Sequence, residues 1–255
     1  MSIHPIQPEQ ARGATPPGAT TEDQAAGYVR AMFGRVAGRY DLLNHLLSFQ
    51  TDRYWRARTV SRVSPILARP DARVMDLCCG TGDLMLALES RRGGRVFGSD
   101  FCHPMLVEAG RKATARRSQT VLFEADALRL PLAGGSFDLI TVAFGFRNFA
   151  NYRKGLVELR RVLRPGGQLA ILEFSQPPNR LFRTLYNWYS KRVLPKLGAL
   201  VSGSSDAYTY LPESVSKFPG PDDLAAEMRQ CGFVEVEYTR MTFGIVALHI
   251  GTAAG

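Results

Sequence analysis

From Ala25 onward apolar residues recur at helical spacing: Val29, Met32, Phe33, Val36 and Tyr40, then Leu42, Leu43, Leu46 and Leu47. This predicts a helical preface that closes at 61–65. Residues 1–24 are rich in Pro, Gly, Thr and Gln without periodicity, and read as a disordered tail. Beyond the preface the pattern changes to short apolar runs at 73–78, 95–99, 121–125, 137–144 and 169–174, which read as strands. Helical patterns near 83–91, 104–117 and 151–163 lie between them. Strand and helix in alternation predict βαβ units and a parallel sheet covered on both faces. A helical stretch at 181–193, a Gly/Ser loop at 202–206, a helix at 222–231 and strands at 233–240 and 245–250 complete the chain. No repeat or second boundary interrupts it, so 25–255 reads as one domain.

With 255 residues and 45% hydrophobic content, the chain is long enough to bury a large core. No run approaches the roughly 18 apolar residues of a membrane span. The N-terminal residues show no apolar core or cleavage pattern of a secretory signal. The four cysteines, at 78, 79, 102 and 231, form no C-x-x-C pair, so reduced thiols in the cytoplasm are expected. Net charge is +9, spread along the chain rather than gathered into a nucleic-acid footprint. A mild attraction to an anionic membrane surface remains compatible with it.

The strongest local signal is VMDLCCGTGD, residues 74–83. A buried strand runs into Gly80-Thr81-Gly82 and then a helix, so a ligand can approach the backbone and the helix amides closely. Asp100 ends the next strand, where a carboxylate can accept both hydroxyls of a ribose. The bland alternative is a glycine turn with a surface Asp. A dinucleotide would call for a third glycine, and Met85 stands at that position. Asp76 and Asp83 would repel a pyrophosphate but suit a ligand carrying an ammonium and a sulfonium, as S-adenosylmethionine does. Asp126, after the third strand, offers an acceptor for an adenine amino group.

These and further segments carry a resemblance. VAGRYDLLNHLLSF, DLCCGTGD, EADALRLPL, FDLITVAFGFRNFAN, ELRRVLRPGG and LPKLGALVSGSSDAYTYLPESVSKFP follow one another in order. Over 29–251 the chain resembles the C-methyltransferases of menaquinone and ubiquinone biosynthesis, and FGFRN with the Y-x-Y-L-x-E-S-V-x-x-F-P stretch is its most specific part. The resemblance implies a class I α/β fold: a seven-stranded, Rossmann-like, doubly wound sheet whose final strand is antiparallel. It also implies a helical lid (25–65) and an acceptor-side insertion (177–220). It implies S-adenosylmethionine as donor, S-adenosylhomocysteine as product and no metal. Thr81, Asp100, Asp126 and Ala127 would surround the donor, and Asp76, Gly80 and Gly82 join them as donor-binding positions. Ala143 stands where the family often has a serine. The implied reaction is C-methylation of a polyprenyl naphthoquinol, 2-demethylmenaquinol to menaquinol. A polyprenyl benzoquinol of ubiquinone synthesis is the rival acceptor, and an RNA substrate a distant one.

Such a transfer needs in-line alignment and a cation beside the developing phenolate. Arg147 is expected to be that cation, with Asn148 as its hydrogen-bonding partner and Tyr40 folded over the site. The plain alternatives are a surface salt bridge for Arg147 and core packing for Tyr40. A water held by Tyr40, Asp100 and Asn148 is the expected base. Leu181, Phe182, Leu185, Trp188, Tyr189 and Val193 form an apolar stripe with cationic neighbours, suited to transient contact with the inner face of a membrane or to a core-facing helix. The oligomeric state stays open, a homodimer included. The spacing of Cys78, Cys79, Cys102 and His103 matches no zinc module.

Overall fold

The computed structural model describes residues 13–189, 192 and 206–255. Seven strands form one sheet in the order β3-β2-β1-β4-β5-β7-β6. They are β1 (Val74–Leu77), β2 (Phe97–Asp100), β3 (Val121–Glu124), β4 (Phe137–Ala143), β5 (Leu163–Phe174), β6 (Phe233–Met241) and β7 (Val246–Ala253). The first five pair in parallel, and β7 runs antiparallel between β5 and β6. This is the expected sheet, with its reversed last strand.

Alternation along the strands sorts side chains onto two cores. Met75, Ile140, Leu169 and Ile171 face one layer with Leu156, Leu159, Leu224 and Met228. These last four come from α7 (Tyr152–Val162) and α10 (Pro221–Gln230). Val74, Leu139, Ala170 and Leu172 face the other layer, with Trp55, Val63, Leu84, Met85 and Leu88. That face is covered by α3 (Thr51–Arg62), α4 (Ser64–Leu67) and α5 (Asp83–Arg92), while α6 (His103–Ala115) follows β2.

The helical preface is divided into α1 (Glu22–Val36), a 3-10 turn at Ala37–Arg39, α2 (Tyr40–Leu47) and α3. Phe49 and Gln50 break it with left-handed backbone, φ 51° and 64°. The side chains of Leu43, His45, Leu46 and Leu47 lie outside the described set. Two readings need correction. The tail at 1–24 is not a tail from Gly13 on: Ala14 is buried, its N–H donates to the Phe149 carbonyl at 2.8 Å, and Thr21 caps α1. Composition could not reveal this, because the segment borrows its partners from a loop far along the chain. Residues 1–12 lie outside the described set. Strand β5 begins at Leu163, six residues early, and passes through Pro165 and Gly166 by a register shift against β4. Within the 177–220 insertion, expected to be helical, α9 (Asp206–Lys217) had no pattern of its own to place it and continues through Pro212. The 181–193 helix is seen as α8 (Arg180–Trp188), while Val193 and 202–205 lie outside the described residues.

Among the described residues, no helix is long and apolar enough to cross a membrane.

Candidate active site

At the end of β1 the chain must turn sharply, and Cys78, Gly80 and Gly82 take φ of 54°, 55° and 88°. A Cβ on Gly82 would lie 3.3 Å from the Ala109 Cβ of α6, so glycine serves both the turn and the packing. The buried Asp100 carboxylate locks this loop: it accepts from the Gly80 N–H and from the Cys102 N–H, both at 2.9 Å. Burial pushes its pKa up, against those two bonds.

Two cavities open here, at the carboxyl ends of the parallel strands. The first encloses about 710 Å³, part of it open to solvent, and is lined by Gly80, Asp100, Asp126, Ala127, Ala143 and Asn148, with Tyr40 at its lid side. The second, about 680 Å³, is lined by Arg147, Trp55, Arg56, Phe174 and Tyr210 among others. Phe33, Tyr40 and Phe144 belong to both walls.

Seven of the sequence-predicted residues thus meet around one cavity and Arg147 faces the next. Asp76, Thr81 and Gly82 line neither. Asp76 sits mid-strand in register with Thr141, whose hydroxyl donates to it at 2.6 Å. Thr81 turns toward the lid: its hydroxyl donates to Asp41 of α2 at 2.5 Å and accepts from Lys112 at 3.1 Å. Lys112 also pairs with Asp41 and, at 2.6 Å, with Asp83. These groups hold the lid and the loop rather than wall the cavity.

Arg147 is neither exposed nor in a surface salt bridge. It is 5% exposed and pairs at 2.9 Å with Glu173, which is 1% exposed. The guanidinium also donates to the Phe144 carbonyl at 2.5 Å. Glu173 accepts the Arg147 backbone N–H at 3.1 Å. Burial is the largest influence and works against the Arg147 charge, but Glu173, Tyr40 and Tyr210 together more than offset it and hold the pKa above the ordinary value. Asn148 accepts a hydrogen bond from the Tyr210 hydroxyl at 3.1 Å, not from Arg147. Tyr40 packs edge-on against Phe33, and burial raises its phenol pKa, so it stays a hydrogen-bond donor. Sequence reasoning missed Glu173, Trp55 and Tyr210. An acid inside an apolar strand was the available signal for the first, and the quoted tyrosine stretch for the last.

Burial lifts the Asp76 carboxyl to about 7 despite the bonds from Thr141 and the Met85 N–H. The folded chain therefore keeps a proton between about pH 4 and 7 that the unfolded chain releases, so this group's contribution to stability falls as pH rises through that window. His249, lowered to about 4 by burial, acts in the opposite sense. The variant Asp76→Asn removes only the first effect. Its stability relative to the parent is expected to rise by about 3–4 kcal/mol from pH 4 to 7.5. Urea unfolding across that range checks this, and a flat difference would mean that Asp76 is ionised throughout. Burial likewise holds the thiols of Cys78 and Cys79 well above their usual pKa, with the Asp100 charge adding to it. Among the described residues, no group of three or more His, Cys, Asp or Glu side chains could hold a metal ion.

The strand order, the glycine turn after β1 and an acid ending β2 are the architecture of class I S-adenosylmethionine-dependent methyltransferases. A SAM-dependent methyltransferase of Thermotoga maritima shares this fold with a TM-score of 0.59 at 18% identity, over 87% of this chain and 98% of that one. The family model of the ubiE/COQ5 methyltransferases matches residues 20–253, and the chain belongs to that family. It is 52% identical over 221 residues to the demethylmenaquinone methyltransferase of Thermus thermophilus, covering 86% of this chain and 99% of that protein. It is 40% identical over 233 residues to the ubiquinone/menaquinone biosynthesis C-methyltransferase UbiE of Paracoccus denitrificans, covering 90% and 92%.

Proposed function

We propose that this chain transfers a methyl group from S-adenosylmethionine to a ring carbon of a reduced polyprenyl naphthoquinol, converting 2-demethylmenaquinol to menaquinol. The observation that carries the reading is the pair of cavities sharing Phe33, Tyr40 and Phe144. One is furnished for an adenosyl group. It offers the Asp100 carboxylate to ribose hydroxyls, Asp126 to an adenine amino group, and the apolar Phe101 and Met105 beside them. The donor, when bound, supplies an activated methyl on a sulfonium. The second cavity is walled by the aromatic rings of Trp55, Phe144 and Phe174, suited to a flat fused ring, with the Arg147 guanidinium in its wall 5.4 Å from the Phe174 ring centroid.

This chain's residues then have separable tasks. Arg147, fixed by Glu173, stabilises negative charge on the ring oxygen that loses its proton, and this pushes electron density onto the acceptor carbon. Tyr40 stands between the cavities and, as a neutral donor, orients an oxygen on either side. Asn148, held by Tyr210, and Asp100 are the groups available to retain a water that takes the protons away. The aromatic walls exclude bulk water and align the ring with the donor.

The rival acceptor, a methoxy-polyprenyl benzoquinol, is favoured by the likeness to the Paracoccus protein, whose name covers both quinones. Purified enzyme, labelled methyl donor and two chemically reduced short-chain acceptors separate the two. Label on the naphthoquinol alone is the expected result. Label on both would widen the substrate class, and label on neither, with the donor bound, would sink the quinol reading.

A further inference from the structure

The lid carries a polar line into the second cavity that the transfer chemistry leaves unassigned apart from Tyr40. Tyr40, Asn44, Ser48, Asp52 and Arg56 recur at intervals of four through α2 and α3, and all of them line that cavity. This spacing keeps side chains on one helical face. The left-handed break at Phe49 and Gln50 does not interrupt the line, because the Ser48 hydroxyl donates to Asp52 across it at 2.7 Å. Asp52 also pairs with Arg56. Asp52 is buried, and the neighbouring wall is aromatic: the Trp55 ring lies 5.8 Å from Phe144 and 6.1 Å from Phe174, centroid to centroid. A desolvated ion pair is a poor source of stability, since apolar side chains of similar size would serve a lid as well or better. Its place in a cavity wall points to a ligand.

Two arginines thus reach one cavity, and they are built alike. Arg147 gives Nη1 to Glu173 and to the Phe144 carbonyl, and Nε to the Ser214 hydroxyl at 3.4 Å. Arg56 gives Nη1 to Asp52 and holds it 3.6 Å from Asp83. Among the described residues, Nη2 of neither arginine has a partner, nor does Nε of Arg56. Both cations act on Tyr40: burial raises its pKa, while Asn44, Arg147 and Arg56 pull the other way.

A hydroquinone carries two oxygens, on opposite carbons of its ring. Arg147 takes the one beside the acceptor carbon. We propose that Arg56 binds the other through Nε and Nη2, with Asp52 and Ser48 as the positioning residues that hold its guanidinium, so that the cavity selects acceptors with para oxygens. A wall that presents buried donors rejects a ligand that leaves them unpaired. The assignment rests on the quinol reading and deepens it.

The test uses the full chain and two short-tail inhibitors already methylated at the acceptor carbon. One is the naphthoquinol, and the other lacks the hydroxyl remote from that carbon. Each is measured by its inhibition of short-tail demethylmenaquinol turnover. Arg56→Met is expected to weaken binding of the diol by between about 10-fold and about 150-fold, and of the one-hydroxyl compound by less than about threefold. KM for the demethylmenaquinol should rise in step with the diol constant while kcat changes by less than about threefold, as when binding is lost equally from ground and transition states. Affinity for S-adenosylhomocysteine should stay within about threefold, which separates the effect from the Arg56 contact with Asp83 in the donor loop. The single variant leaves Asp52 without the Arg56 counter-charge, so Asp52→Asn/Arg56→Met is measured beside it. This double variant removes that charge and should show the same split between the two inhibitors. Equal weakening of both inhibitors in the double variant, or of neither, would overturn the assignment. If the parent binds the donor but methylates no short-tail quinol, the quinol reading itself falls and this assignment falls with it.

Discussion

Replacing Asp100 with Asn is expected to weaken binding of S-adenosylhomocysteine by between about 30-fold and about 1000-fold while leaving the chain folded. The carboxylate accepts two backbone N–H groups, one on each oxygen, and closes the glycine loop onto the tip of β2. An amide keeps only one acceptor, so its NH2 must face either the Gly80 or the Cys102 N–H. One buried donor is then unsatisfied and opposed, at a cost of about 2–4 kcal/mol, which sets the range above. The loss falls on the ligand because the loop exists in this shape to present Gly80 to the cavity. Calorimetric titration measures it. An Asn variant that binds within threefold of the parent would show that Asp100 neither shapes the loop nor meets the donor.

Breaking the buried ion pair should have the largest effect on stability. Arg147→Met leaves the Glu173 carboxylate, 1% exposed, without its counter-charge. Removing one member of such a pair costs about 3–5 kcal/mol, and in a domain of this size that lowers the melting temperature by about 6–20 °C. Turnover should fall at least about 100-fold as well, because a group that stabilises charge in the transition state is gone. The two losses have different origins and can be separated. Glu173 also accepts the N–H groups of Arg147 and Phe174, one on each oxygen, so Glu173→Gln keeps one of those acceptors while removing the orphan charge. The double variant Arg147→Met/Glu173→Gln is expected to regain part of the melting temperature, since one backbone N–H stays opposed, and none of the turnover. If turnover returns with stability, Arg147 is a structural residue and the ring oxygen is stabilised by something else.

What could be read along the chain follows from range. The turn from β1 into α5, and Asp100 at the tip of β2, are announced by residues within a few positions of one another, because backbone geometry and strand ends are local. The acceptor side is not local. Trp55 reaches Thr242 across 187 residues, Tyr210 reaches Asn148 across 62, and nothing in the spacing of either pair announces the contact. Arg147 stood out as a candidate cation because it follows a strand in a specific motif. Its partner did not, since a single Glu in an apolar strand reads as one polar position among many. The N-terminal residues misled for the same reason. Ala14 and its neighbours have the composition of a tail, but the Phe149 carbonyl accepts the Ala14 N–H and Lys217 donates to the Thr15 carbonyl. Asp76 and Thr81 are conspicuous motif residues that line neither cavity and bond within the sheet and to the lid, a placement that their spacing does not announce.

The two cysteines at the end of β1 give the site a chemical immunity. A quinol acceptor becomes, on oxidation, an electrophile that adds to thiolates, and Cys78 lines the donor cavity itself. Only the thiolate is the nucleophile. Desolvation around both sulfurs, with Cys79 buried and Cys78 half-buried, and the Asp100 charge beside them keep the thiols protonated. An enzyme working beside a redox-active ring thereby carries small, well-packed sulfur side chains in its cofactor loop without exposing itself to alkylation by its own substrate's oxidised form.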